Sequence, residues 1–323
     1  MEEPTLTTVP TKREMPLYLK GVVIFAKILG YLFVVFLGGF LIGSLLIQLL
    51  VSPDIEAMMT GDLTDWQANS LMFGGMAIAS LLTTWLFRTK IDRGAIETIG
   101  LSGGGIVAQT LKGGGWAMAI LTLAYIILYA IGAIKGSMGD FSAYELLGFL
   151  LLFLIVSINE ELIFRGYITS LIAKDFHFMG ALIVGALIFA AVHIGNIDFT
   201  WWGFSSIFLG GYIMGLLFLK NQDLYTPIGM HWFWNYYHGN VLGFDVSGHD
   251  VPSLLQLEML KADWITGGEF GLEGSVVTII LLFLASIGMT YKWYDDLQLA
   301  MDKTKNLSNP ADAVAQLDTD EGL

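Results

Sequence analysis

The sequence predicts an all-α bundle of membrane-spanning helices, and three observations carry that expectation. Of 323 residues, 55% are apolar and only 14% charged, a balance foreign to a soluble domain of this length. The apolar residues fall in long runs, about eight of them near the roughly 20 helical residues that cross a bilayer. The basic residues then sort to one end of those runs.

Taken in order, the runs lie near 24–51, 66–87, 116–134, 144–164, 179–195, 203–219, 226–242 and 275–292. The first follows a polar stretch, 1–20, and is too long for a cleavable signal, so it reads as an anchor. Placing the N-terminus inside puts Lys12, Arg13, Lys20, Lys27, Arg88, Lys90, Arg93, Lys112, Arg165, Lys174, Lys220, Lys292, Lys303 and Lys305 at the inner side. Lys135 and Lys261 alone fall outside. Short cytoplasmic loops are rich in Lys and Arg, so both termini are expected in the cytoplasm. The outer loops carry acid instead: Asp54, Glu56, Asp62 and Asp65 in one, and Asp245, Asp250, Glu258, Asp263, Glu269 and Glu273 in another. They read as a solvated acidic face.

The organisation expected is therefore a polar cytoplasmic segment 1–20, a membrane domain 21–293 and a polar, acidic tail 294–323, disordered or loosely helical. A net charge of −13 argues against nucleic acid as a partner, and the absence of cysteine excludes disulfides, thiolate catalysis and Cys-ligated zinc. The Gly-rich stretch 93–115 reads as a flexible inner connector with a short amphipathic helix on the membrane surface. Within it, Gly100-Leu101-Ser102-Gly103 is similar to the GxSG string of rhomboid serine proteases, but the Ser sits in a polar connector rather than a span. Gly39-xxx-Gly43 and Gly211-xxx-Gly215 suit close helix packing.

Ionisable residues inside the spans are few, and each is a functional candidate. The fourth run ends in Asn159-Glu160-Glu161-Leu162-Ile163-Phe164-Arg165; the fifth carries Phe189-xxx-His193; the seventh carries His231-xxx-Asn235. Adjacent helical residues point about 100° apart, so Glu160 and Glu161 cannot both face one site. Glu161 and Arg165, at i and i+4 with the acid N-terminal, form the favourable intrahelical pair. Glu160 is left to find its partner on another helix. Glu160 and His193 are equidistant from the inner turn 174–178 of an antiparallel hairpin and should be level. His231 and Asn235 share a face of the seventh helix and enter from the same side. Three helices then converge on a buried polar site reached from the cytoplasm. His177 and His249 read as surface residues, and His238 as an interfacial one.

A Glu with two His and an Asn, and no evident Ser or Cys nucleophile among them, suggests hydrolysis by an activated water. Glu160, His193 and His231 could equally form a three-ligand zinc site with an open position. The zinc-protease string HExxH and the aspartyl string GxGD are both absent. A non-catalytic membrane scaffold or chaperone and a proton-coupled transporter are the alternatives. The transporter would show paired inverted repeats, which the sequence lacks.

The three motifs, in this order on successive spans, resemble those of the CAAX prenyl protease and bacteriocin-processing (CPBP, or Abi) family of intramembrane proteases. The resemblance covers roughly 143–242 and includes Asp223-Leu224-Tyr225-Thr226-Pro227-Ile228. It implies an intramembrane endopeptidase acting on a membrane-associated peptide or protein. It also implies that Glu160 activates water with His193, that His231 and Asn235 stabilise the oxyanion, and that Glu161 and Arg165 support the site. Members are often named metalloproteases, and a metal-independent glutamate mechanism is also proposed for the family, so Zn2+ stays open here. No eukaryotic retention string is present, which fits a bacterial plasma membrane.

Overall fold

The computed structural model describes residues 15–50, 66–101 and 104–307. The expected acids Asp54, Glu56, Asp62 and Asp65, together with Lys12, Arg13 and Ser102, lie outside the described residues. So do the side chains of Lys303 and Lys305 and the tail beyond residue 307.

Among the described residues, eight main helices run alternately up and down. They are α1 (Leu17–Leu50), α2 (Trp66–Ile91), α3 (Ile106–Ala130), α4 (Ala143–Asp175), α5 (Phe178–Gly195), α6 (Trp201–Asn221), α7 (225–241) and α8 (Val276–Leu307). Among the described residues, seven are long and apolar enough to cross a membrane. The exception is α7, short and crowded with His231, Asn235 and His238, and it is the helix most enclosed by neighbours.

Each helix buries one stripe and presents the rest to lipid. In α1 the buried positions are Ile24, Ile28, Tyr31, Val35, Gly39, Gly43 and Ile47, a spacing of three to four residues that marks one helical face. Phe25, Phe33 and Phe36, off that stripe, are exposed. The Gly39 and Gly43 backbone lies against Met76 and Met72 of α2, as the small-residue spacing predicts.

The Gly-rich stretch is corrected by the structure. Residues 106–115 are not a surface connector but the first turns of α3, which packs along α7. A Cβ added to Gly113 would lie 1.9 Å from the Thr226 carbonyl oxygen, and one added to Gly229 would lie 2.0 Å from that of Thr110. The two backbones touch, so neither position accepts a side chain. The glycines that look like flexibility in the sequence are a packing seam.

Of the segment 294–323, expected to be disordered or loosely helical, the part up to Leu307 continues α8, with Leu297 buried and Asp296 paired with Lys220 at 3.3 Å. The outer loops hold a small antiparallel sheet, β1 (Ile134–Met138) with β2 (Leu255–Met259), in register Ile134 to Met259. Pairing satisfies backbone groups that would otherwise sit unbonded beside the bilayer.

The basic and acidic faces are both evident. One end carries the ion pairs Lys20–Asp175, Lys27–Asp92 and Lys220–Asp296. The other end holds the loop 242–275 and a cavity of about 1160 Å³ whose wall includes Asp140, Asp198, Asp245, Asp250, Asp263 and Glu269. There burial, with Asp250, Glu269 and Asp198 nearby, pushes the Asp245 carboxyl up to about 6. Between the ordinary carboxylate value of 3.8 and about 6, the folded chain holds a proton that the unfolded chain has released. Stability from this group is therefore present at low pH and lost as pH rises through that window. Asp245→Asn should raise the melting temperature in detergent at pH 7.5 and leave it nearly unchanged at pH 4. An equal effect at both values would contradict the assignment.

Candidate functional site

The site forms where α4, α5 and α7 meet. α4 begins as a regular helix, capped by Ser142, whose hydroxyl accepts from the Glu145 amide. At Glu161 it widens into a π-helical stretch, Leu162–Thr169, before closing again at Ser170–Asp175. Such insertions cluster at functional sites because they turn side chains off the regular face. Every residue of this stretch is buried.

Glu161 and Arg165 form the expected pair, with Arg165 Nη1 donating to Glu161 Oε1 at 2.6 Å. Both side chains are almost wholly buried, at 0% and 2% exposure. Arg165 also donates from Nη2 to the Gly211 carbonyl at 3.1 Å and lies 4.4 Å above the Phe189 ring. One guanidinium thus ties α4 to α5 and α6.

Glu160 meets His193, as the hairpin count requires. Glu160 Oε2 lies 3.7 Å from His193 Nε2 and 3.9 Å from His231 Nε2. That oxygen is buried and has no hydrogen-bond partner among the described residues. The other ring nitrogens are committed elsewhere. His193 Nδ1 donates to the Phe189 carbonyl at 2.7 Å, and His231 Nδ1 donates to Glu161 Oε1 at 2.8 Å. Because a carbonyl and an ionised carboxylate only accept, each Nδ1 carries the proton. In the neutral form of each imidazole, the Nε2 turned toward Glu160 is then unprotonated.

Glu160 lines the cavity and Glu161 does not, but Glu161 makes one contact that helix spacing alone does not show, to the far edge of the His231 ring. A single imidazole has two nitrogens on different edges, and His231 inserts between the carboxylates, one edge to each. The signal was available in the sequence: a buried carboxylate has about four lone-pair sites, and Arg165 alone does not fill them.

Asn235 lies one turn beyond His231 and lines the same cavity, of about 230 Å³. Its side-chain amide has no hydrogen-bond partner among the described residues. Phe73, Phe153, Val156, Ile207, Met214 and Met230 supply the apolar wall.

The cavity's direction differs from expectation. Its lining runs from Glu160 toward Asn196, Val246, Ser247, His249 and Glu273, all on the acidic face. Toward the basic face, the buried residues 161–169 close it. An opening on the cytoplasmic side and a cytoplasmic basic face therefore cannot both hold for this cavity. His249, expected at the surface, lines the cavity, and Glu273, expected to be solvated, is buried beneath the loop. Glu273 accepts from Trp234 Nε1 at 2.9 Å and from Ser247 Oγ at 2.5 Å, fastening the loop over α7. His238 is buried and structural, its ring nitrogens 2.8 and 3.0 Å from the carbonyls of Trp234 and Asp245. His177 remains peripheral, accepting from the Met179 amide at the start of α5. Gly100 of the GxSG string accepts from the Leu224 amide on the basic face, away from the cavity.

The donor set of Glu160, His193 and His231 has the chemistry of a zinc site. Among the described residues, however, no group of three or more His, Cys, Asp or Glu is arranged to hold a metal ion. The three side chains do not fit a metal as placed.

Fold and site together define a class: a polytopic membrane protein whose buried carboxylate faces two imidazoles across three helices. Residues 142–237 match the family model of type II CAAX prenyl endopeptidase Rce1-like proteins. That stretch holds all three motifs, and over it the chain is similar to the CAAX prenyl endopeptidases. No curated protein and no solved structure matches the chain.

Proposed function

We propose that this protein is an intramembrane endopeptidase that hydrolyses a peptide bond with water activated by Glu160. The observation that carries the reading is the convergence of Glu160 Oε2 and the Nε2 atoms of His193 and His231 in one cavity. With both rings neutral these are three acceptors, which need a donor between them, and a water supplies two hydrogens. Held there, the water gives a proton to Glu160 as its oxygen attacks the scissile carbonyl. The carbonyl electron pair moves onto oxygen, where the Asn235 amide donates to it. Collapse breaks the C–N bond, and the proton on Glu160 passes to the leaving amine.

Glu161 and Arg165 act indirectly. Glu161 fixes the tautomer of His231, and Arg165 holds Glu161. The apolar wall suits a membrane-associated peptide, which is the substrate class proposed. Peptides from membranes of cells producing wild-type or Glu160→Gln protein test this directly. Fragments that depend on Glu160 support it, and identical peptide sets refute it.

The side from which substrate enters follows from charge. With the basic face cytoplasmic, the cavity belongs to the opposite face. The chain lacks cysteine, so single replacements report cleanly. Ser247→Cys should react with a membrane-impermeant maleimide in intact cells, and Lys220→Cys only after permeabilisation. The reverse pattern would put the cavity on the cytoplasmic side.

A further inference from the structure

Ser206 lies on α6, outside the three motifs, and its surroundings are unusual for a helical serine. It is 1% exposed, it lines the cavity that holds Glu160, and its Oγ has no hydrogen-bond partner among the described residues. Several other helical serines return their hydroxyl to the preceding turn, whereas Ser70 on α2, which does not line this cavity, is also unpartnered. Ser205 donates to the Trp201 carbonyl at 2.9 Å, Ser157 to Phe153 at 2.7 Å and Ser286 to Leu282 at 2.8 Å. An unsatisfied buried hydroxyl destabilises a fold. A hydroxyl left this way at a cavity wall marks a place where a ligand completes it.

Donor accounting at the site points the same way. Both imidazoles have given their Nδ1 protons to Phe189 and Glu161, so in their neutral forms neither has a hydrogen to offer the cavity. The oxygen that becomes negative during hydrolysis needs donors. Among the cavity-lining groups of the three motifs, Asn235 alone supplies one. The wall beside Ser206 is also open: Gly210, one turn on and on the same face of α6, also lines the cavity, and a Cβ there would meet nothing within 4 Å.

We propose that Ser206 is a further catalytic residue, donating its hydroxyl hydrogen to the scissile carbonyl oxygen as that oxygen gains charge. This rests on the protease reading above. Ser206 forms no covalent bond. Its proton stays on Oγ while the water oxygen bonds to carbon and the carbonyl pair moves to oxygen. Ser206 and Asn235 then flank the oxyanion from α6 and α7, opposite Glu160 on α4.

The test compares wild type, Glu160→Gln, Ser206→Ala and Ser206→Thr. Glu160-dependent peptides are quantified in membranes, and melting temperatures are measured on the purified proteins in detergent. Ser206→Ala should lower the yield of those peptides about 10²-fold, the effect of losing one oxyanion donor. Its melting temperature should stay level or rise, because an unsatisfied hydroxyl has been removed. Ser206→Thr, which keeps the hydroxyl, should recover most of the yield. Undiminished cleavage by Ser206→Ala would overturn the proposal. A fall in both melting temperature and yield would assign Ser206 a structural role instead. A covalent acyl adduct on Ser206 would make it a nucleophile and also overturn the donor role. If no Glu160-dependent peptide appears at all, the protease reading fails and this inference falls with it.

Discussion

Purified Glu160→Gln protein should retain its melting temperature and lose activity by about 10²–10⁴-fold, the range of a general base. The substitution is nearly isosteric and removes a charge that has no counter-ion as close as Arg165 is to Glu161. Its Oε2 is already unpaired and its side chain is 18% exposed, so folding does not depend on it. The amide can hold a water but cannot take its proton. His193→Ala should cause a similar loss, and the double variant little more than either alone, because two groups acting on one water are strongly non-additive. Additive losses would separate the two residues into different steps. Full activity in either single variant would remove that residue from the chemistry.

Arg165→Met should be the most damaging substitution for the fold. It removes the bonds to Glu161 and the Gly211 carbonyl and the stacking on Phe189. It also leaves the fully buried Glu161 charge with His231 alone. Breaking a buried pair on one side costs about 3–5 kcal/mol. Arg165→Lys should not rescue it, since a single ammonium cannot reach Glu161 and Gly211 with the geometry of a planar fork. The combined Glu161→Gln and Arg165→Met variant should melt higher than Arg165→Met, because the uncompensated charge is gone. It should remain inactive, because His231 Nδ1 no longer faces a carboxylate and its tautomer is free to change. Detergent melting curves and cleavage assays on the three proteins decide this. Equal stability of the single and double variants would show that Glu161 is not charged in the fold.

Much of the architecture was legible because membranes impose few solutions. Hydropathy and the sidedness of Lys and Arg fixed the run order, and the hairpin count brought Glu160 level with His193 before any coordinate was needed. Helix spacing likewise paired Glu161 with Arg165. What failed was the reading of local chemistry without neighbours. Gly113 and Gly114 look like a hinge in sequence, yet they are a seam, because α7 lies against them. Glu161 seemed fully used by Arg165 until His231 arrived from 70 residues away. His249 and Glu273 looked like surface acids and bases until the loop 242–275 folded inward.

The sequence by itself determined that this chain spans the membrane, which helices carry the ionisable residues and which of those can be level. These follow from the helix repeat and from the exclusion of charge from lipid, both local rules. Tertiary structure alone decided the tautomers of the two histidines, the closure of the site toward the basic face and the loop over its other side. Those depend on which groups from distant segments compete for the same lone pairs and the same space. The free hydroxyl of Ser206 belongs to this second kind: whether a buried donor is satisfied is known only once its neighbours are in place.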